Sequence, residues 1–277
     1  MRLVTYEKDG VAAVGARTNE GIMATGYTSM LDLIADGEKG LFRARAADQL
    51  VHPDRLLAPI PRPPKILCSG INYASHKEEN PGAEFNPEPY FFSKLPSSVV
   101  GPGEPIVIPT ADSEIDYEVE LAFVIGKPAK HVPAKEALEH IFGYTVLHDV
   151  SARHIQFKPI QGGQITLGKG VDTFCPLGPE IATSDELTDP SALHVRAFVN
   201  GEQRQSSPTS DMLFDVPFLI EFLSEIITLE PGDVISTGSP AGVGTFMDPP
   251  AYLKPGDEVT VEVEEIGALT NPVVAGW

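Results

Sequence analysis

The sequence predicts an α+β fold in which strands dominate. Six stretches have strand-like length and pattern: KILCS, PIVIP, IDYEVELAFVIG, GYTVLHDV, LHVRAFVN and DEVTVEVEEI, several of them bounded by Pro-Gly or Asn-Gly turns. Only two stretches of the same region read as helices, AKEALEHI near 134–141 and VPFLIEFLSEII at 216–227, the second with apolar residues at helical spacing. Long apolar helices do not alternate with the strands, which argues against a doubly wound parallel sheet.

From the N-terminus, residues 1–27 alternate weakly, and Asp9-Gly10 supplies a hairpin turn. Ser29 is placed to cap a short helix, MLDLIAD, that Gly37 would end. LLAPIPRPPK, residues 56–65, follows, and its four prolines favour an extended connection without regular pairing. A boundary near residue 60 therefore divides a small N-terminal α+β domain, 1–60, from a mainly β domain, 61–277. Within the latter, Asn200-Gly201 is the strongest hairpin signal.

Composition bounds the function. Hydrophobic residues make up 42% of the 277, enough for a sizeable core. Lys and Arg number 20 against 39 Asp and Glu, a formal net charge of -19, which would repel phosphate backbones and excludes nucleic acid as an expected partner. No basic amphipathic helix suits an anionic membrane, and no apolar run approaches the roughly 20 residues of a spanning helix. Charges interrupt MRLVTYEKDG too early for a signal peptide. Cys68 and Cys175 both sit in apolar surroundings with no CxxC partner, as buried thiols of a reducing compartment do, so a cytoplasmic location is expected.

The stretch DYEVELAFVIG, residues 116–126, carries the first chemical hint. On a continuous strand Glu114, Asp116, Glu118 and Glu120 would share one face, with Ile115, Tyr117, Val119 and Leu121 on the other. Neighbouring carboxylates repel unless water or a cation relieves them. An internal control limits what alternation alone says: EVTVEVEEI, residues 258–266, alternates as well, as any half-exposed antiparallel strand does. Two features set the first run apart. LAFVIG after Glu120 is apolar on both faces, so Glu118 and Glu120 border a strand buried on both sides, where a carboxylate must be paired, protonated or bound to a cation. Asp149 ends another apolar run, ahead of an expected helix start at Ser151. Two glutamates at i and i+2 with one aspartate form an all-oxygen set, suited to Mg²⁺, Mn²⁺ or Ca²⁺ rather than zinc.

Six stretches in order resemble the fumarylacetoacetate hydrolase family: GINYASHKEE (70–79), DYEVELAFVIGK (116–127), HDVSARHIQ (148–156), GKGVDTFCPLGP (168–179), VNGEQRQSSPTSDMLF (199–214) and PGDVISTGSPAGVG (231–244). The likeness runs from about residue 64 to the C-terminus and includes LKPGDEVTVEVEEIGALTNPV. It implies a catalytic domain built as a roll of mixed β-sheets, a homodimer, and the acylpyruvase or fumarylpyruvate hydrolase-like branch. It nominates Glu118, Glu120 and Asp149 as ligands of Mg²⁺, with Mn²⁺ or Ca²⁺ as alternatives, and His76 with Glu79 as the catalytic pair. Lys169 is carried over as a third catalytic residue, and Gln156, Thr173, Arg153, Thr237 and Asn72 as residues that meet substrate. Read singly, each has a plainer role: His76 a surface histidine at a helix start, Lys169 a turn lysine, Asp149 a helix cap. Their joint occurrence in the family's motifs lifts them above that.

The implied chemistry is metal-dependent hydrolysis of a carbon–carbon bond in a small 2,4-dioxo acid. The cation would stabilise charge developing on the pyruvate enolate that leaves. His76 would take the proton of the attacking water; if 74–79 is a helical turn, Glu79 lies at i+3 and can orient the ring. Lys169 would face a developing oxyanion, and Gln156 could donate a hydrogen bond. Decarboxylation of oxaloacetate, or enol–keto isomerisation of a 2-oxo acid, is the alternative on the same site. A metal-binding protein without turnover is a third reading, against which the intact His76, Glu79 and Lys169 argue. The polar, Pro/Gly-interrupted HKEENPGAEFNPEPY, from His76 to Tyr90, reads equally as a lid or as a surface loop.

Overall fold

The computed structural model describes residues 1–80, 87–109, 114–159 and 163–276. The centre of the expected lid, 81–86, lies outside them. Among the described residues the strands form a twelve-stranded sheet, a five-stranded sheet and a two-stranded ribbon, so the mainly β, α+β expectation stands, with mixed pairing. Most neighbours are antiparallel; Val234–Ser236 pairs parallel with Ile66–Ser69, and Gly267–Ala275 parallel with Ile106–Ile108.

The strand Val119–Ile125 shows why its sequence is apolar on both faces. Leu121, Phe123 and Ile125 pack into the core shared with the five-stranded sheet, where Val195, Ala197, Val259 and Val261 meet them. Ala122 and Val124 point the other way, into a second core that also takes Leu3, Val14, Met30, Leu33 and Ile34 from the N-terminal segment. The strands on either side of residue 60 share one sheet: Arg2–Lys8 pairs with Cys175–Thr183. The proline-rich stretch is not wholly unpaired: Leu56 and Leu57 belong to Arg55–Leu57, which pairs with Arg2–Lys8, and the prolines themselves fall between that strand and Ile66–Ser69.

Local signals are met closely in several places. Asp9 and Gly10 both take positive φ (53° and 75°) between Arg2–Lys8 and Val11–Thr18, the twist-matched hairpin turn. Asn200 and Gly201 do the same (53° and 79°) between His194–Val199 and Glu202–Pro208. Ser29 caps Met30–Ala35 by accepting from the Asp32 amide. Val216–Ile226 buries Val216, Leu219, Ile220 and Leu223, and its N-cap Asp215 accepts from the Phe218 amide. The control strand Glu258–Val263 alternates as a half-exposed strand should, with Val259, Val261 and Val263 inside and Glu258 out.

Three local expectations need correction. The run from Glu114 to Leu121 is not one strand: Ile115–Asp116 pairs with Ser151–Ala152, the regular pattern breaks at Tyr117 and Glu118, and Val119–Ile125 starts afresh in the large sheet. Glu114 is exposed and stands apart from the other three acids. The helix expected from Ser151 begins only at Arg153, because Ser151 and Ala152 are taken up by pairing with Asp116 and Ile115. Asp149 is therefore no helix cap.

Candidate active site

Strand pairing brings the acids together. Val119 lies opposite His148, so Asp149, one residue on, arrives beside Glu118, and its amide donates to the Glu118 carbonyl at 2.9 Å. One oxygen from each of Glu118, Glu120 and Asp149 lies within 4.8 Å of the others, and all three side chains are buried.

Three buried cations surround them. Arg153 Nη2 donates to Glu118 Oε1 at 2.5 Å. Lys169 Nζ donates to Glu118 Oε2 at 2.5 Å and to Asp149 Oδ2 at 2.6 Å. Lys94 Nζ donates to Asp149 Oδ1 and, at 3.1 Å, to the Val150 carbonyl. Burial pushes the Glu118 carboxyl up, but the Arg153 and Lys169 charges outweigh it and hold the group well below the usual carboxylate range. Glu120 goes the other way. Burial, then the charges of Asp149 and Glu118, push its carboxyl well above that range. Among the described residues its Oε2 is buried with no hydrogen bond of ordinary geometry, and neither does Ser236 Oγ make one.

That orphaned oxygen tests the metal expectation. A buried carboxylate without a partner is costly, and a divalent cation held by Glu118, Glu120 and Asp149 would satisfy it. With Asp116 included and all seven groups ionised, four buried carboxylates face three buried cations, and an ion bound there would offset the one negative charge left over. The residues present fit a hard, oxygen-liganded divalent metal. His148, beside Asp149, adds no charge: burial, then Lys94, pull its pKa down to about 3.

His76 and Glu79 lie on one short helix, Ala74–Glu79, as the i, i+3 spacing predicts. His76 Nδ1 is 2.5 Å from Glu79 Oε1, and Glu79 Oε2 accepts from the Gly242 amide at 2.8 Å. A carboxylate only accepts, so Nδ1 carries the proton and Nε2 is left as the basic nitrogen. The helix is pinned at its start by Ser75, whose amide and hydroxyl both donate to Asp211 Oδ2.

Most of these groups open onto one cavity of about 200 Å³; Asp149 and Glu79 do not line it and act on it through their partners. His76, Glu118, Glu120, Arg153, Gln156 and Lys169 all line it, and Ile71, Tyr90, Phe92 and Ile165 supply its apolar wall. A larger, more open cleft of about 690 Å³ between Tyr117, Arg204 and Tyr252 holds none of the six and lacks their chemistry. Gln156 accepts from Arg153 Nη1 at 3.0 Å. Asn72, Thr237 and Thr173 do not line the cavity. Asn72 brackets the backbone of Phe214 and Thr237. The Thr237 hydroxyl donates to the Leu121 carbonyl, and Thr173, at φ 72°, accepts from the Val107 amide. Asn72 and Thr237 thus brace backbone next to the cavity-lining Ile71 and Glu120, whereas Thr173 holds Val107, which does not line the cavity.

Sequence reasoning missed Lys94 and assigned nothing to Asp116. Lys94 sits in FFSKLPSS, and its one signal is a lone charge directly after an apolar strand. Asp116 was visible as a member of the acidic run.

The description "Fumarylacetoacetate (FAA) hydrolase C-terminal" matches residues 65–274. A curated relative, "Oxaloacetate tautomerase fahd2, mitochondrial" of Xenopus laevis, is 51% identical over 219 residues, 79% of this chain and 68% of its own. The solved fumarylacetoacetate hydrolase of Exiguobacterium antarcticum is 40% identical, with a TM-score of 0.88 over 99% of both chains. The maleylpyruvate hydrolase of Sphingobium sp. SYK-6, solved with manganese(II) and pyruvate, is 31% identical with a TM-score of 0.81 over the whole of both chains. The expected cytoplasmic location has no counterpart in the Xenopus protein's name. Among the described residues no helix is long and apolar enough to cross a membrane.

Proposed function

This chain belongs to the fumarylacetoacetate hydrolase family, and we propose that it catalyses metal-dependent enol–keto tautomerisation of a small 2-oxo acid of the oxaloacetate type. One observation carries the reading: Glu118 and Glu120 of the buried Glu118–Glu120–Asp149 set, with the orphaned Glu120 oxygen, line the same cavity as His76, whose ring Glu79 holds from behind. Glu118, Glu120 and Asp149 would hold a divalent cation, which would supply Lewis-acid polarisation of a bound 2-oxo acid. His76 Nε2 moves a proton between the substrate oxygen and the neighbouring carbon. Glu79 holds the ring in the tautomer that leaves Nε2 free and stabilises it when charged. Lys169, itself fixed by Glu118 and Asp149, places positive charge where enolate charge develops. Gln156 orients substrate from the Arg153 side.

Hydrolysis of a 2,4-dioxo acid, the first expectation from sequence, is the second reading. It is supported by the likeness to maleylpyruvate hydrolase and uses the same groups, with His76 taking its proton from water. The Xenopus relative's higher identity supports tautomerisation as the first reading. The test is a panel of enol-oxaloacetate, acetylpyruvate, fumarylpyruvate and fumarylacetoacetate, each with Mn²⁺, with Mg²⁺ and with EDTA. Loss of the enol absorbance without carbon–carbon cleavage, abolished by EDTA, is expected. Cleavage of an acylpyruvate at a higher kcat/KM would transfer the assignment to hydrolysis.

A further inference from the structure

We infer that Asp116 is a positioning residue that locks the acid–base pair and the metal ligands into one frame, an inference that rests on the metal-site reading above. Asp116 is fully buried yet lines neither cavity. Its two oxygens serve two parts of the site at once. Oδ2 accepts from Arg153 Nε at 2.9 Å and lies 2.8 Å from Arg153 Nη2, and the same guanidinium reaches on to Glu118 Oε1 and Gln156 Oε1. Oδ1 accepts from the Gly244 amide at 2.6 Å and the Tyr117 amide at 2.9 Å, and Oδ2 takes the Thr245 amide at 3.1 Å as well.

The loop that Asp116 holds is the one that holds the acid–base pair. Gly242 donates its amide to Glu79, Ala241 donates to Ser75 Oγ, and the Phe246 ring lies 6.0 Å from the His76 ring. A continuous chain of contacts thus runs from His76 and Glu79 through residues 241–246 to Asp116, then through Arg153 to Glu118. The packing requires glycine at its centre. A Cβ on Gly244 would stand 2.8 Å from Asp116 Oδ1 and 2.2 Å from the Ala251 carbonyl oxygen. Asp116 also balances Arg153. Without it, that guanidinium would be neutralised by Glu118 alone and would compete with the metal for that ligand's electron density.

The test is Asp116→Asn, which keeps the shape but has one acceptor oxygen and an NH₂ that must face either the amides or the guanidinium. Mn²⁺ affinity is read by electron paramagnetic resonance, stability by thermal melting, and kcat/KM on the substrate that the panel identifies. The Mn²⁺ Kd is expected to rise about tenfold, the low end for partners of metal ligands, and kcat to fall with it. In a double-mutant cycle on kcat/KM, Asp116→Asn and Glu79→Gln are expected to be non-additive; strict additivity overturns the coupling. A lower melting temperature with unchanged Mn²⁺ affinity makes Asp116 a plain brace and overturns the role. If Asp116→Asn does not fold, Arg153→Lys decides. It keeps the charge but cannot span Asp116 and Glu118 together, so the same rise in Kd is expected, and an unchanged Kd overturns the proposal. Wild-type protein that binds no Mn²⁺ overturns the metal reading itself; wild type and variants binding alike overturns only the part given to Asp116.

Discussion

Glu120 and Lys94 behave oppositely although both are buried charges against the same aspartate. Glu120 is the acid without a partner, and its folded pKa lies above its unfolded value. Its contribution to stability is therefore present below the unfolded pKa and is lost as pH rises through the folded one. Glu120→Gln is expected to melt higher than wild type in EDTA at neutral pH, with the gap closing as the pH falls, while losing Mn²⁺ affinity and turnover; a variant that melts lower at every pH would remove the idea of an unrelieved carboxylate. Lys94 is the reverse case, a fully buried ammonium whose loss exposes Asp149 Oδ1 to no counter-charge. Removing one partner of a buried pair costs about 3–5 kcal/mol, and Lys169 on Oδ2 keeps Lys94→Met near the lower figure. Urea unfolding in EDTA measures it, and a change within about 0.5 kcal/mol would mean the pair is not formed. The acids, His76 and Glu79 were legible because each sits in a motif with its chemistry nearby. Lys94 was not, because its partner is 55 residues away and nothing local distinguishes it from a surface lysine.

Elements were legible where one local rule decides them. The two hairpin turns, the Ser29 cap and the apolar spacing of Val216–Ile226 follow from turn chemistry and periodicity. What failed was continuity: the acidic run breaks at Tyr117 because Asp116 must turn aside to pair with Ser151, a partner no periodicity reveals. The GKG segment shows the same dependence on tertiary contact. Gly168 looks like turn punctuation, but it lies in Ile165–Lys169, where an added Cβ would stand 2.8 Å from the Gln156 amide nitrogen and 3.0 Å from its Cα. Neither backbone atom can yield without moving Arg153–Gln156. Gly168→Ala is expected to separate the two helices and displace Lys169 and Gln156 together, lowering kcat/KM on the order of 10- to 100-fold, since misplacement by about 1 Å has that effect. Gly201→Ala is the control. Its φ is 79° and nothing lies within 4 Å of the new Cβ, so about 1 kcal/mol of stability should go with kcat/KM intact. Equal kinetic losses in both would disconnect the helix contact from catalysis.

At the scale of the whole molecule, a net charge of -19 has to be reconciled with an anionic substrate. Composition alone said what the chain repels; only the fold shows where that repulsion is reversed. The buried cluster of Asp116, Glu118, Glu120 and Asp149 against Lys94, Arg153 and Lys169 carries one negative charge when all seven are ionised, and a divalent cation turns that into one positive charge. The cluster therefore favours a carboxylate more strongly when loaded, and metal and substrate are expected to bind cooperatively, each strengthening the other by the same factor. Oxalate, a planar mimic of a 2-oxo acid enolate, isolates that coupling from turnover. Mn²⁺ at a hundredfold excess over its Kd should stabilise the protein by about 2.7 kcal/mol. Oxalate should add a further rise in melting temperature with Mn²⁺ present and none in EDTA. The reciprocal measurement closes the cycle: oxalate should lower the Mn²⁺ Kd by the factor by which Mn²⁺ lowers that of oxalate. A shift produced by oxalate in EDTA would place the anion on Arg153, Lys169 or another cation directly, and the carboxylate triad would then have no part in substrate recognition.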